Sequence, residues 1–101
     1  MGNDNMKTFD FISDPGHGWI KCHKGLLDQI GIAEKISTYS YMLGDYAYLE
    51  EDCDAVMLCN ALKDRGIGFK FRERICKKRY SKVRNYKRYS KVRNYQTYQA
   101  H

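Results

Sequence analysis

Residues 39–71 read YSYMLGDYAYLEEDCDAVMLCNALKDRGIGFKF, and the changes of hydrophobic period within this stretch decide the fold class. Two tyrosine-rich arms with alternating apolar positions flank Gly44-Asp45, a pattern that predicts a β-hairpin with a two-residue turn. From about Asp52 to Arg65 the apolar residues fall at i, i+3, i+4 and i+7, which predicts a helix that the following glycine ends. Alternation then resumes through Phe69 and Phe71, which predicts a final strand.

The sequence before this stretch predicts two more strands and a short helix. Residues 7–12 alternate as a strand, and residues 13–18 hold turn residues in which Gly16 suits the positive φ of a type II turn. Residues 19–22 return antiparallel to the first strand, and the apolar spacing of residues 26–30 indicates a short helix. The order β-β-α-β-β-α-β therefore predicts an α+β fold, with a small mixed or antiparallel sheet and two helices on one face.

Charge divides the chain into two parts. The whole chain of 101 residues has a formal net charge of +6, but residues 1–73 carry all twelve acidic residues and a net charge of −4. Residues 74–101 carry ten lysines and arginines and no acidic residue. We expect one α+β domain over residues 1–76, followed by a basic, tyrosine-rich tail over residues 77–101.

The tail contains the sequence KRYSKVRNY twice, at residues 78–86 and 87–95. Nine residues make 2.5 helical turns, and an odd period also reverses the faces of a strand, so no straight element can use both copies identically. Repeat proteins need longer units that bury an apolar face on their neighbours. The tail is therefore either an unstructured or loosely attached extension or a segment that docks partly on the domain, and its repeat indicates duplication of coding sequence.

Cations interleaved with tyrosines make the tail a candidate nucleic-acid-binding segment. Lysine and arginine neutralise phosphates and release counterions, and tyrosine rings stack on unpaired bases. Single-stranded nucleic acid, RNA or a host nucleoprotein is the expected partner. A solvated tail, a tail that folds back on the acidic domain, and an acidic protein partner are the alternatives. The candidate binding residues are Lys77, Lys78, Arg79, Tyr80, Lys82, Arg84, Tyr86, Lys87, Arg88, Tyr89, Lys91, Arg93 and Tyr95.

The hairpin is a candidate protein interface. Its arms place four tyrosines on one face, and tyrosine is common at the centre of protein interfaces. An unpaired hairpin edge is also a template for a second chain, which makes a homodimer an expectation to be tested. The candidate interface residues are Tyr39, Tyr41, Tyr46 and Tyr48.

Catalytic and metal-binding patterns are weak. His17, on a glycine-flanked loop, could act as an acid or base, but the sequence assigns it no nucleophile or orienting group, and a turn that aims Trp19 into the core is the simpler interpretation. The four cysteines form no C-x₂-C pair, and the acidic run of residues 50–54 lacks the central glycine of a calcium loop. We interpret that run as helix capping and expect no enzyme activity, no metal and no cofactor.

Targeting patterns are likewise weak. The N-terminus lacks the order of a signal peptide, and no apolar run reaches the ~18 residues of a membrane span. We therefore expect a cytoplasmic protein with free thiols.

Three short motifs carry a resemblance to a known group of proteins. They are DPGHGW at residues 14–19, YLEEDCDA at residues 48–55, and a terminal pattern VRNYxxY that occurs at residues 83–89 and again at 92–98. On these motifs, residues 7–98 resemble a family of small proteins encoded by bacteriophages and plasmids. The resemblance implies a non-enzymatic accessory factor that binds host machinery, such as an inhibitor of restriction or CRISPR systems. The added copy leaves open which of the two takes the usual terminal place.

Overall fold

The computed structural model describes residues 6–76, 83 and 86–89, and these form one mixed sheet with two α-helices. The α+β class and the order β-β-α-β-β-α-β are confirmed, and a two-residue strand follows them. The elements are β1 (Lys7–Ser13), β2 (Gly18–His23), α1 (Lys24–Gln29), a 3₁₀ helix (Ala33–Lys35), β3 (Tyr41–Leu43), β4 (Tyr46–Glu50), α2 (Asp54–Asp64), β5 (Phe69–Ile75) and β6 (Lys87–Arg88).

The spatial order of the strands is β5-β1-β2-β4-β3-β6. Every neighbouring pair is antiparallel except β1 and β5, which run parallel with Phe9 opposite Phe71. The sheet is therefore mixed. The parallel pair arises because the chain leaves β4, passes through α2, and returns to the far edge of the sheet instead of pairing with its neighbour in sequence.

Glycines lie in the hairpin turn and directly after α2, as the sequence predicts. Gly44 has a φ of +59°, which suits the first central position of a two-residue hairpin turn. After α2, the Gly66 amide donates to Lys63 O at 3.0 Å and the Ile67 amide donates to Leu62 O at 2.9 Å. This is the Schellman arrangement, and it requires the left-handed conformation that Gly66 adopts at a φ of +69°.

The predicted type II turn after β1 is wrong. Among the described residues, positive φ occurs at Gly31, Gly44 and Gly66, and not at Gly16. The turn is held instead by the Asp14 carboxylate, whose Oδ1 accepts from the Gly16 and His17 amides at 3.0 Å each. A side chain that satisfies two backbone donors fixes this loop without a left-handed residue.

Both helices pack on the same face of the sheet, which we call the helix face. Leu27 of α1 and Leu58 and Leu62 of α2 are fully buried against Ile20 and Leu49 of the central strands. Each such side chain contributes roughly 1.5–3 kcal/mol on burial. Within the described residues, neither helix is long and apolar enough to cross a membrane.

Candidate functional site

The opposite side of the sheet, which we call the open face, combines cations with aromatic rings. Side chains alternate between the two faces along each strand, so the residues that lie between the core positions point away from the helices. Strand register aligns them in rows, for example Asp10 opposite both Arg72 and Lys21, and Lys21 opposite Tyr48. The open face carries Thr8, Asp10, Ile12, Trp19, Lys21, His23, Tyr41, Leu43, Tyr46, Tyr48, Glu50, Lys70, Arg72 and Arg74.

Two arginines of β5 converge on one carboxylate of β1. Arg72 Nε lies 2.8 Å from Asp10 Oδ1, and Arg74 Nε lies 3.8 Å from the same oxygen. The hydrogen bond from Arg72 is the main reason that the pKa of Asp10 lies below its usual value. More than half of each arginine side chain remains exposed. The pair is therefore held in place by Asp10 while it stays accessible to a ligand.

Tyr46 lies at the centre of a second group of open-face side chains. Lys21 Nζ lies 4.5 Å from the centre of the Tyr46 ring, within the range of a cation–π contact. The His23 ring meets Tyr46 edge-on, with centroids 5.3 Å apart. Tyr46 nevertheless stays exposed, so its ring is available for stacking.

The C-terminal segment crosses onto this face. Val83 is only 2% exposed and packs on Trp19 and Tyr48. The Tyr86 ring lies over Tyr48 with centroids 4.9 Å apart. Burial, together with the neighbouring Tyr86 hydroxyl, raises the pKa of Tyr48 to about 12. Val83 and Tyr86 thus belong to the packed fold, beyond the boundary at residue 76 that composition suggested.

Tyr89 packs on the helix face, on the opposite side of the sheet from Val83 and Tyr86. It is 3% exposed in the helix-face core, its hydroxyl donates to Ala33 O at 2.8 Å, and its amide donates to Ser40 O at 2.8 Å. A ring buried in this way cannot stack on a base, so the structure assigns Tyr89 a packing role in place of the predicted nucleic-acid contact.

Strand β6 covers the hairpin edge that we expected to be open. Met42 pairs with Lys87, and Tyr41 pairs with Arg88. The reason for expecting a dimer through that edge is therefore removed. The remaining predicted nucleic-acid-binding residues lie outside the described part of the chain: Lys77, Lys78, Arg79, Tyr80, Lys82, Arg84, Lys91, Arg93 and Tyr95.

The four tyrosines predicted as a protein interface differ in exposure. Tyr39 is 66% exposed in the loop before β3, and Tyr46 is also exposed. Tyr41 is half-buried, and Tyr48 is buried beneath the C-terminal segment. Only Tyr39 and Tyr46 therefore offer a large ring surface to a partner.

A cavity of about 500 Å³ opens where three segments meet at one end of the sheet. They are the β1–β2 turn, the loop leading into β3, and the connection from β4 to α2. Sequence reasoning missed this cavity, although its segments include the quoted motifs DPGHGW and YLEEDCDA. Its lining residues are His17, Trp19, Tyr39, Tyr41, Glu50, Asp52 and Cys53.

The acidic run beside the cavity places Asp54 in the first turn of α2, where its charge opposes the helix dipole as predicted, but the predicted capping hydrogen bond is not made. Cys53 is the N-cap residue and makes no side-chain capping bond. The fully buried Asp54 carboxylate accepts instead from the Ser37 amide at 3.1 Å, from the Ser37 hydroxyl at 2.7 Å and from the Ser40 hydroxyl. Ser40 Oγ in turn accepts from the Glu50 amide at 2.9 Å. This network fixes the loop before β3 against the end of β4.

Among the described residues that line the cavity, the two candidates for catalysis are His17 and Cys53. His17 Nδ1 lies 3.8 Å from Glu50 Oε2, which supplies the neighbour that the sequence could not assign. The Cys53 thiol lines the same space, but the adjacent Asp54 carboxylate raises its pKa. A raised pKa lowers the fraction of reactive thiolate at neutral pH.

Carboxylate oxygens of Glu50, Glu51 and Asp52 all lie within 4.8 Å of one another. Exposed acidic groups commonly cluster in this way without a metal, so the cluster alone defines no site.

No protein-family model, curated protein or solved structure matches the chain.

Proposed function

We propose that this protein is a non-enzymatic, cytoplasmic accessory factor that binds single-stranded nucleic acid across the open face and the C-terminal segment. One observation carries the proposal: Val83 and Tyr86 dock on the same face that presents Lys21, Arg72 and Arg74. The segment that docks there belongs to the 28 C-terminal residues, which hold ten cations and no acid. Part of a cation-rich segment therefore docks on the surface that presents these three cations.

The chemistry of this surface suits an unpaired strand. The two arginines are held by Asp10 in a direction that leaves them exposed, so they can contact phosphates at little cost in side-chain entropy. Tyr46 beside Lys21 offers a ring for base stacking, worth roughly 1–3 kcal/mol per base. A duplex would hide its bases from this ring, which favours single-stranded DNA or RNA.

The test is fluorescence anisotropy with a labelled single-stranded oligonucleotide of about 12 nucleotides, titrated between about 50 and about 200 mM NaCl. We expect binding that weakens steeply with salt. The double variant Arg72→Gln/Arg74→Gln removes two phosphate contacts, so the slope of log K against log salt falls by about 1.4. The matched control Lys35→Gln/Lys63→Gln removes the same charge from exposed positions on the helix side of the sheet.

Equal losses in both double variants would mean that net charge alone drives binding, and the proposed surface would be rejected. No binding at low salt would reject the function itself. A duplex bound as tightly as the single strand would reject the role assigned to Tyr46.

A partner protein of host defence machinery is the second candidate, and the exposure of Tyr39 and Tyr46 favours it. A pull-down from nuclease-treated host lysate separates the two candidates. Recovery of a defined protein that Tyr39→Ala/Tyr46→Ala releases would support this second function, and recovery of none would count against it.

A further inference from the structure

The cavity at the end of the sheet is walled by rings that face one another at an angle. The Trp19 and Tyr41 centroids are 6.2 Å apart with an interplanar angle of 68°, and the His17 and Trp19 centroids are 6.0 Å apart at 40°. Trp19 is almost completely buried and forms the floor, while the exposed Tyr39 stands at the mouth. Because so little of Trp19 is accessible, the half-buried Tyr41 and the exposed Tyr39 supply most of the aromatic surface that an occupant can contact.

The described residues of the cavity wall carry negative charge. The Glu50 side chain is only 14% exposed, and Asp52 adds a second carboxylate at the rim. No lysine or arginine is among the described residues that line the space. A carboxylate with so little contact with water is weakly screened, so it favours a positively charged occupant and disfavours a phosphate.

The cavity wall is also prearranged. The Ser40 hydroxyl accepts from the Glu50 amide and donates to the buried Asp54, and Glu50 Oε1 accepts from the Asp52 amide at 2.9 Å. The Asp14 carboxylate holds the loop that carries His17. The groups that would contact a ligand are thus positioned by bonds that do not need the ligand, which lowers the entropy lost on binding.

We propose that this cavity binds an alkylammonium cation of the trimethylammonium type, carried either by a methylated lysine side chain or by a small molecule. Aromatic faces attract a weakly hydrated cation through cation–π contacts, and quaternary ammonium groups are the ligands that such arrangements recognise. Glu50 supplies the neutralising charge. This site is separate from the open-face arginines and has the opposite electrostatic preference.

The chain contains a single tryptophan, so intrinsic fluorescence reports directly on the floor of the cavity. The probes are choline, N-acetyl-trimethyllysine amide, and the neutral isostere 3,3-dimethylbutan-1-ol. We expect saturable fluorescence changes with both cations and binding of the isostere that is weaker by about tenfold or more. Tighter binding of the trimethyllysine probe than of choline would indicate a protein ligand, and the reverse a small-molecule ligand.

Three variants locate the binding. Glu50→Gln removes the charge but keeps an oxygen that can accept from the Asp52 amide, and Tyr39→Ala removes one ring; each is expected to weaken choline binding by about five- to tenfold. Tyr46→Ala, on the open face but outside the cavity, is the matched control and is expected to leave choline affinity unchanged. All three variants are checked for a wild-type circular dichroism spectrum and unfolding midpoint.

Equal binding of the cation and its neutral isostere would overturn the proposal, and so would an unchanged choline affinity in Glu50→Gln. Oligonucleotide binding is also measured on Glu50→Gln. A variant that loses choline affinity and still binds the oligonucleotide shows that the two sites are separate. The nucleic-acid proposal can fail while choline still binds, and the reverse also holds.

Discussion

The valine of the docked repeat gives the sharpest test of how the C-terminal segment is held. Residues 83–89, the docked motif, have the pattern Val-x-x-Tyr-x-x-Tyr, and residues 92–98, the second motif, repeat it. Val83 is buried against Trp19 and Tyr48. Because the valine and both tyrosines recur at the same spacing, a slip of nine residues could offer the second motif to the same docking site.

The cost of removing Val83 therefore depends on whether the chain can slip. Truncation of a buried valine to alanine deletes two methyl groups and leaves a cavity, which together cost about 2–3 kcal/mol. Slipping lengthens the link from Cys76 to the docked valine from six residues to fifteen. The added loop entropy is (3/2)RT ln(15/6), or about 0.8 kcal/mol. Val83→Ala alone should therefore lose only about 1 kcal/mol, because Val92 takes its place at that smaller cost.

Urea unfolding of four proteins measures this: wild type, Val83→Ala, Val92→Ala and the double variant. We expect Val92→Ala within about 0.5 kcal/mol of wild type, Val83→Ala lower by about 1, and the double variant lower by about 2–3. The identical local sequence makes Val92→Ala a matched control. Deleting residues 78–86 or 87–95 yields one and the same polypeptide, which keeps a single motif and the six-residue link and should retain wild-type stability.

Two results would refute this reasoning. If Val83→Ala alone costs as much as the double variant, the second motif does not replace the first. If the double variant is as stable as wild type, docking of this segment contributes nothing to the free energy of unfolding.

Two further predictions concern buried polar and thiol groups. Asp54→Asn should destabilise by about 2–3 kcal/mol in urea unfolding, because an amide cannot accept all the hydrogen bonds that this buried carboxylate receives, whereas Asp64→Asn at an exposed position should cost less than about 0.5; equal losses would contradict the role of the network. In native protein, a chromogenic disulfide reagent should label Cys53 first, more slowly than a free thiol because Asp54 raises its pKa. Cys22 should react only on unfolding, since burial raises its pKa to about 12; labelling of Cys22 in the folded state would show local opening.

The order of strands and helices was predictable because each element has its own period and a clear end. The switch from alternation to helical spacing marks α2, and Gly44 and Gly66 occupy left-handed positions that the sequence pattern required. The pairing of β5 with β1 was not predictable, since nothing in either strand specifies a parallel partner some sixty residues away. Non-local pairing is decided by how α2 covers the sheet, which local pattern does not encode.

The tail shows why composition misled. Its charge favours a solvated extension, yet Val83, Tyr86 and Tyr89 supply apolar groups at a spacing of three that fit the sheet edge. That spacing of three was the sequence signal that could have predicted docking of the tail. The prediction was based instead on the nine-residue period of the repeat. The role of Asp54 was mispredicted for a similar reason. A carboxylate near the start of a helix suggests a cap, and its hydrogen bonds to a loop 14–17 residues earlier are not visible in the local sequence.

Trp19 connects the two binding sites that we propose. It forms the floor of the acidic cavity, and it is also the residue on which Val83 packs. If the cavity binds its cation best when the floor is held in place, the docked segment strengthens that binding, and the cation must strengthen docking by the same factor. The C-terminal segment would then do more than add positive charge. If both proposals hold, the segment packs on the floor of a cation site and extends a nucleic-acid surface, and ligands of opposite charge are linked through the single buried ring of Trp19.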